Sequence, residues 1–243
     1  VTVDVALRTT LCADERRFTL DVALRSDHRR IVLFGPSGAG KSLTLRAMAG
    51  LIVPEAGHVR VDGRTLFDAG TRVNLPPRQR GLAYVFQDYA LFPHLTVAQN
   101  IGFGLRGGWL NPSRRGRDAR VEHWLAAFEL AGVADSYPAR ISGGQRQRVA
   151  LARALATEPK GLLLDEPFAA LDPALRGRMR DELLAMQARL DLQLIVITHD
   201  PADVTALEGD TFELCEGRVV GRSRPSSRSW DHGAFPGQRP MAE

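Results

Sequence analysis

Cysteine is nearly absent from this chain, which has Cys12 and Cys215 and no other among 243 residues. A pair this isolated forms neither a disulfide framework nor a metal cluster, so a reducing compartment is adequate. Long apolar runs are missing too. No stretch approaches about eighteen consecutive apolar residues, so nothing in the sequence spans a bilayer. Charge of one sign is scarce as well: 32 basic against 28 acidic residues leave +4. The arginines are scattered except for a cluster at Arg114, Arg115, Arg117 and Arg120. That cluster suits a solvated helix entry better than a nucleic-acid patch, and no nucleic-acid partner is expected. There is no internal repeat. Residues 1–7 alternate like a strand and carry Asp4, unlike a signal peptide, so the chain is expected to stay in the cytosol. With 44% hydrophobic and 25% charged residues, it can bury a substantial core in one α/β domain with a subdomain.

The first informative stretch is GPSGAGKS at 35–42, which follows an apolar run at 31–34 that reads as a buried strand. Gly35, Pro36, Ser37, Gly38, Ala39, Gly40, Lys41, Ser42 and the following Leu43 make a strand, loop and helix start. The glycines let successive N–H groups turn inward at an anion, and the helix adds its positive dipole end. In this pattern Lys41 reaches the β and γ phosphates, and the Ser42 hydroxyl ligates Mg²⁺. Nucleotide binding accounts for this stretch better than a glycine-rich turn with an exposed lysine.

A second apolar run, 162–164, ends in two adjacent carboxylates, Asp165 and Glu166. Side chains alternate along a strand, so the two acids are expected to differ in direction and in job. Asp165 suits the Mg²⁺ shell, while Glu166 suits orientation and deprotonation of an attacking water. Ser142 and two glycines precede a stretch from Gln145 free of Pro and Gly, which reads as an N-cap and a helix. Bare N–H groups at such a helix start would make a second anion site.

Ser142, Gly143, Gly144 and Gln145 spell SGGQ, and LLLDEP at 162–167 is followed by Ala170, Leu171 and Asp172. Gln87 follows Tyr84, Val85 and Phe86, and His199 follows an apolar strand at 195–198. In these motifs the chain resembles the ATP-binding-cassette (ABC) ATPases over about residues 1–220. The resemblance implies an α/β fold: a P-loop NTPase, RecA-like core with an antiparallel β subdomain and an α-helical signature subdomain. It also implies ATP and Mg²⁺ as ligands, with metal contacts from Ser42, Asp165 and Gln87. The catalytic set it implies is Glu166, His199, Gln87 and Lys41. ATP would bridge the phosphate loop of one subunit and the Ser142 segment of the other in a head-to-tail homodimer, with Asp172 at the dimer seam.

Cassette ATPases commonly hold adenine on an aromatic ring some twenty-odd residues before the phosphate loop, and here that place falls near Cys12. Phe18 is the nearest aromatic, but it opens an alternating stretch and reads as a core strand residue. Without the ring, stacking weaker by about 1–3 kcal/mol would loosen adenine selectivity, so ATP is expected and GTP tolerated.

Along the chain, the β lobe and core are expected in residues 1–93 and 160–220, with a hairpin turning at Asp62 and Gly63. Residues 94–159 form the helical subdomain, interrupted by a Gly, Pro and Arg loop at 107–116. Residues 173–190 read as a helix, and 211–220 as a last strand pair. Residues 221–243, rich in Arg, Ser, Pro and Gly, are expected to be disordered.

About a hundred residues separate Lys41 from Ser142, too few for the long coiled-coil insertion of the DNA-repair and chromosome-structure members of the superfamily. A transporter subunit at the cytoplasmic face of the membrane is therefore expected, with integral-membrane permease subunits as partners and a solute-binding protein acting indirectly. Residues 89–97, from Tyr89 to Val97, are apolar and broken by Pro93. Some of them pack in the core, and the resemblance implies that others line a groove for a permease helix. The stretch 66–97 looks especially like the ATPase subunits of molybdate importers. Sulfate, polyamine, iron and sugar importer subunits are near relatives, and a soluble cassette ATPase acting on nucleic acid is the reading from a different class.

Overall fold

Apolar residues at every second position build the first two strands into a long antiparallel pair. The structure is a computed structural model that describes residues 2–13, 16–105, 112, 118–169, 171 and 173–225. Strands β1 (Val3–Ala13) and β2 (Arg16–Ser26) pair along their whole length. Val3, Val5 and Leu7 of β1 and Leu20, Val22 and Leu24 of β2 are buried, as a period of two requires for a sheet with one covered face. Strand β1 also pairs with β4 (Ala56–Val61), which turns through Asp62 and Gly63 into β5 (Arg64–Asp68), followed by the short β6 (Val73–Asn74).

The parallel strands read differently. Strands β3 (Arg30–Phe34), β7 (Leu82–Val85), β8 (Gly161–Asp165) and β9 (Gln193–Thr198) lie side by side, and every residue of β8 and β9 is buried. A continuous apolar run is what a parallel strand covered on both faces needs. Strands β10 (Asp210–Cys215) and β11 (Arg218–Ser223) complete one eleven-stranded sheet, ordered β6-β5-β4-β1-β2-β11-β10-β3-β9-β8-β7.

Helix α1 (Lys41–Ala49) follows β3 and packs with the antiparallel strands in one apolar cluster that includes Leu45, Met48, Leu20 and Leu33. Helices α2 (Val97–Gly102), α3 (Ala119–Ala127), α4 (Gly143–Leu155) and α5 (Pro173–Leu190) share a second cluster. Trp124, Leu151 and Phe168 lie in it, against Leu162 and Val196. The short α6 (Pro201–Leu207) follows β9. The helix read over 173–190 has those bounds.

One boundary is corrected. Strand β11 runs to Ser223, so ordered structure enters the stretch from 221 expected to be disordered. The reason is local: Arg222 donates to Asp210, a carboxylate 1% exposed on the neighbouring strand, at 2.5 Å. A buried charge holds its partner strand in place. Asp172, Arg114, Arg115, Arg117, residues 226–243 and the loop at 107–116 apart from Pro112 lie outside the described residues.

Candidate active site

The phosphate loop leaves β3 at Gly35 and enters α1 at Gly40. Gly35 has φ +146°, and a Cβ there would lie 2.1 Å from the Leu214 carbonyl oxygen. Gly40, with φ +97°, would bring a Cβ to 2.7 Å from Leu20 Cδ1. Both the backbone angle and the packing therefore demand glycine. Pro36, Ser37 and Gly38 are exposed, whereas Ala39 and Gly40 are buried. No side chain caps α1 and no acid lies in its first turn, so its leading N–H groups stay open to an anion.

Lys41 is 5% exposed, and its Nζ donates to the carbonyls of Gly35 at 2.6 Å and Pro36 at 2.8 Å. Burial lowers the ammonium pKa, and the charges of Glu166 and Asp165 act against that shift. Two neutral carbonyls are weaker partners for a desolvated cation than a phosphate oxygen, so this side chain is set to exchange one for the other.

The two carboxylates do have separate partners. Asp165 ends β8 and is buried; its Oδ1 accepts from Ser42 Oγ at 2.8 Å and its Oδ2 from the Tyr84 hydroxyl at 2.7 Å. Burial, then the bond to Asp165, raise the Tyr84 pKa, so the phenol remains a donor. Glu166 leaves the strand in a left-handed turn, φ 47°, with its N–H donating to Ile197 O at 3.1 Å. That turn sends its carboxylate to other groups. Oε1 lies 3.1 Å from His199 Nδ1, and Gln87 Nε2 donates to Oε2 at 3.4 Å.

Ser42 and Asp165 are hard oxygen donors in hydrogen-bond contact, a donor set suited to Mg²⁺. Among the described residues no group of three or more His, Cys, Asp or Glu could hold a metal. Mg²⁺ commonly takes one or two protein oxygens and completes its shell with phosphate and water, which this pair fits. Gln87, the third expected metal contact, bonds Glu166 rather than the Ser42–Asp165 pair.

Beyond Gln87 the backbone is strained, with φ of 63° at Tyr89 and 42° at Ala90. Arg153 of α4 holds this turn, donating to the Tyr89 and Ala90 carbonyls at 2.7 Å each. Within 89–97, Tyr89, Leu95 and Val97 are buried in the core, while Pro93 and His94 are exposed. Phe92 stacks on Phe103 with ring centroids 4.2 Å apart, and Phe103 is 41% exposed.

Ser142 caps α4 as expected, but the cap consumes donors that the sequence leaves bare. Ser142 Oγ accepts from Gln145 N at 3.2 Å, and Gln145 Oε1 accepts from Ser142 N at 2.9 Å, a reciprocal capping box. The N–H groups of Gly143 and Gly144 remain for an anion. Gly144 faces Leu175 of α5, and the next residue, Arg176, is paired with Asp200 beside His199.

Near the place expected for an adenine-stacking ring, Cys12 is exposed on β1 opposite Arg17. Phe18 is a partly buried member of the strand core, as its alternation implies. Its ring nevertheless reaches the loop: its Cζ would lie 3.2 Å from a Cβ at Gly40.

Sequence reasoning passed over Tyr84, Arg80 and Arg153. Arg80 is 2% exposed and donates to Ala47 O, Met48 O, Leu75 O and Asn74 Oδ1, which ties the segment before β7 to the C-terminus of α1. Only the double proline before Arg80 hinted at a fixed turn.

A phosphate loop between β3 and α1, facing two carboxylates at the end of β8, defines a P-loop nucleotide hydrolase. Residues 20–169 match the model of the family described as ABC transporter. The molybdate/tungstate import ATP-binding protein of Archaeoglobus fulgidus is 42% identical over 207 residues, covering 85% of this chain and 82% of that protein. A sulfate/thiosulfate import ATP-binding protein of Agrobacterium fabrum is 42% identical over 213 residues, covering 87% of this chain and 61% of that protein. The spermidine/putrescine import ATP-binding protein of Pseudomonas fluorescens is 42% identical over 208 residues, with 85% and 54% covered. The chain thus spans less than two thirds of the latter two. The ATP-binding cassette MJ0796, solved as a dimer in a post-hydrolysis state bound to ADP and Pi, superposes with a TM-score of 0.75 at 29% identity. That match covers 93% of this chain and 100% of that one. The chain belongs to the ABC transporter family, and its site is that of an ATP hydrolase.

Proposed function

We propose that this chain is the ATP-hydrolysing subunit of an ABC importer, acting as a head-to-tail homodimer at the cytoplasmic face of a membrane. The observation that carries the reading is Glu166 held between Gln87 and His199, one residue from an Asp165 bonded to Ser42. Lys41, Ser42 and the backbone of residues 35–43 bind the triphosphate. Ser42 and Asp165 would hold Mg²⁺, while Gln87, bonded to Glu166, would help place the attacking water. When bound, Mg²⁺ neutralises charge developing on the phosphate oxygens. Glu166 orients and deprotonates the attacking water, and His199 fixes the Glu166 carboxylate while donating to the γ phosphate. The N–H groups of Gly143 and Gly144, with Ser142 and Gln145, meet the nucleotide of the partner subunit, so that binding closes the pair and hydrolysis reopens it.

No described helix is long and apolar enough to cross a membrane; in this reading the solute path belongs to permease subunits. Their docking groove lies along residues 89–97, where Phe92, Pro93 and His94 reach the surface beside Phe103. A solute-binding protein acts through the permease. Molybdate or another oxyanion is the cargo we favour, supported by the 66–97 stretch and by the archaeal relative's name. The sulfate relative, at equal identity, supports an oxyanion other than molybdate, and the polyamine relative supports the second reading of a cationic cargo. Reconstitution with the co-purifying permease and measurement of ATP-driven molybdate against sulfate uptake tests both. Absence of ATP-dependent uptake of either, with phosphate release intact, refutes the oxyanion reading.

A further inference from the structure

Aspartate has a soft terminal torsion, so the plane of its carboxylate is set by hydrogen bonds rather than by a rotamer well. At Asp165 two bonds set it: Ser42 Oγ on Oδ1 at 2.8 Å and the Tyr84 hydroxyl on Oδ2 at 2.7 Å. Tyr84 is well placed to do this. Strands β7 and β8 run parallel with Tyr84 opposite Leu163, and Leu163 and Asp165 share a face. The long ring therefore has to lean along the strand by about one side-chain repeat to bring its hydroxyl to the carboxylate.

The ring is itself held. Phe86, on the same face of the chain, packs against it with centroids 4.5 Å apart and planes at 52°. The Arg46 charge acts on the same phenol, and Arg46 lies four residues beyond Ser42, on the same face of α1. Asp165 is thus gripped from two elements, by Ser42 of α1 and by Tyr84 of β7. A carboxylate has about four lone-pair sites, so two remain for a ligand once these bonds are made.

We infer that Tyr84 is a positioning residue for the divalent cation: its phenol fixes the rotation of the Asp165 carboxylate and so the direction of the lone pairs left for the metal. This rests on the reading above in which Ser42 and Asp165 hold Mg²⁺.

The test uses the full chain saturated with a non-hydrolysable ATP analogue and Mn²⁺ as the paramagnetic probe, its free concentration read by electron paramagnetic resonance. Tyr84→Phe removes one oxygen and keeps the ring. The expected result is a roughly tenfold weaker Mn²⁺ affinity, with analogue affinity in EDTA within about twofold of the parent. Unchanged Mn²⁺ affinity overturns the inference. So does an equal loss in EDTA, which marks a structural role. Asp165→Asn is measured in parallel: if it binds Mn²⁺ as the parent does, the metal reading itself fails, whatever Tyr84→Phe shows.

Discussion

His199 Nδ1 lies 3.1 Å from Glu166 Oε1, joining the residue that follows β9 to the one that follows β8. The two strands are parallel neighbours, so a contact across their C-terminal ends sits where ligands bind in sheets of this kind.

Glu166→Gln keeps the shape of this contact and removes the base. ATP turnover is expected to fall by about 10²–10⁴-fold, with nucleotide binding retained. Phosphate release and equilibrium binding check this. Under the proposed mechanism the variant accumulates as an ATP-bound dimer, and sizing it as a monomer at saturating Mg-ATP would count against the mechanism.

Ser142→Ala separates two roles of one hydroxyl. Loss of the capping box is expected to cost about 1 kcal/mol of stability, read as a lowered midpoint in urea. Dimerisation with Mg-ATP should weaken far beyond that cost if Ser142 also meets a partner's nucleotide. A drop confined to stability would leave the residue as a cap alone.

Arg80→Met tests a buried cation with no carboxylate partner among the described residues. Burial lowers its pKa, and four bonds to neutral oxygens hold it. Removing it orphans the Met48 carbonyl and leaves Ala47 O with the Gly50 N–H alone, with an expected loss of about 2–4 kcal/mol by thermal or urea unfolding. A change below about 0.5 kcal/mol would show that the carbonyls find other donors.

Asp210 gives a pH dependence with a definite sign. Burial pushes its pKa up, but bonds from Arg222 and Ser26 outweigh burial and hold it below the ordinary 3.8. A depressed folded pKa adds stability above the unfolded value, and that stability is lost as pH falls through the folded one. Asp210→Asn should therefore be less stable than the parent at pH 7 by about 2–3 kcal/mol, and the gap should narrow only below pH ~4. Urea midpoints from pH 7 to 2.5 decide it; a constant gap removes Asp210 as the titrating group.

The parts legible in the sequence are those whose chemistry is written locally. Lys41 and Ser42 announce themselves by glycine spacing, Asp165 and Glu166 by an apolar run ending in acids, and Ser142 by a cap before a helix. Tyr84 and Arg153 have no such mark. Tyr84 acts on a residue 81 positions away, and Arg153 on carbonyls 63 and 64 positions away. Nothing periodic encodes a contact made by tertiary packing alone. The same holds for the end of β11: residues 221–223 read as the start of a tail until Asp210 on the next strand supplies the reason for their order.

The turn between β10 and β11 acts as a stitch. Gly217 N donates to Ala39 O of the phosphate loop at 3.1 Å, while its carbonyl accepts from Asp21 N of β2 at 2.7 Å. A Cβ at Gly217 would come within 2.1 Å of the Thr19 carbonyl oxygen, so the crossing tolerates no bulk. One glycine thus ties β2 directly to the nucleotide loop, so a displacement of either is passed to the other through this crossing.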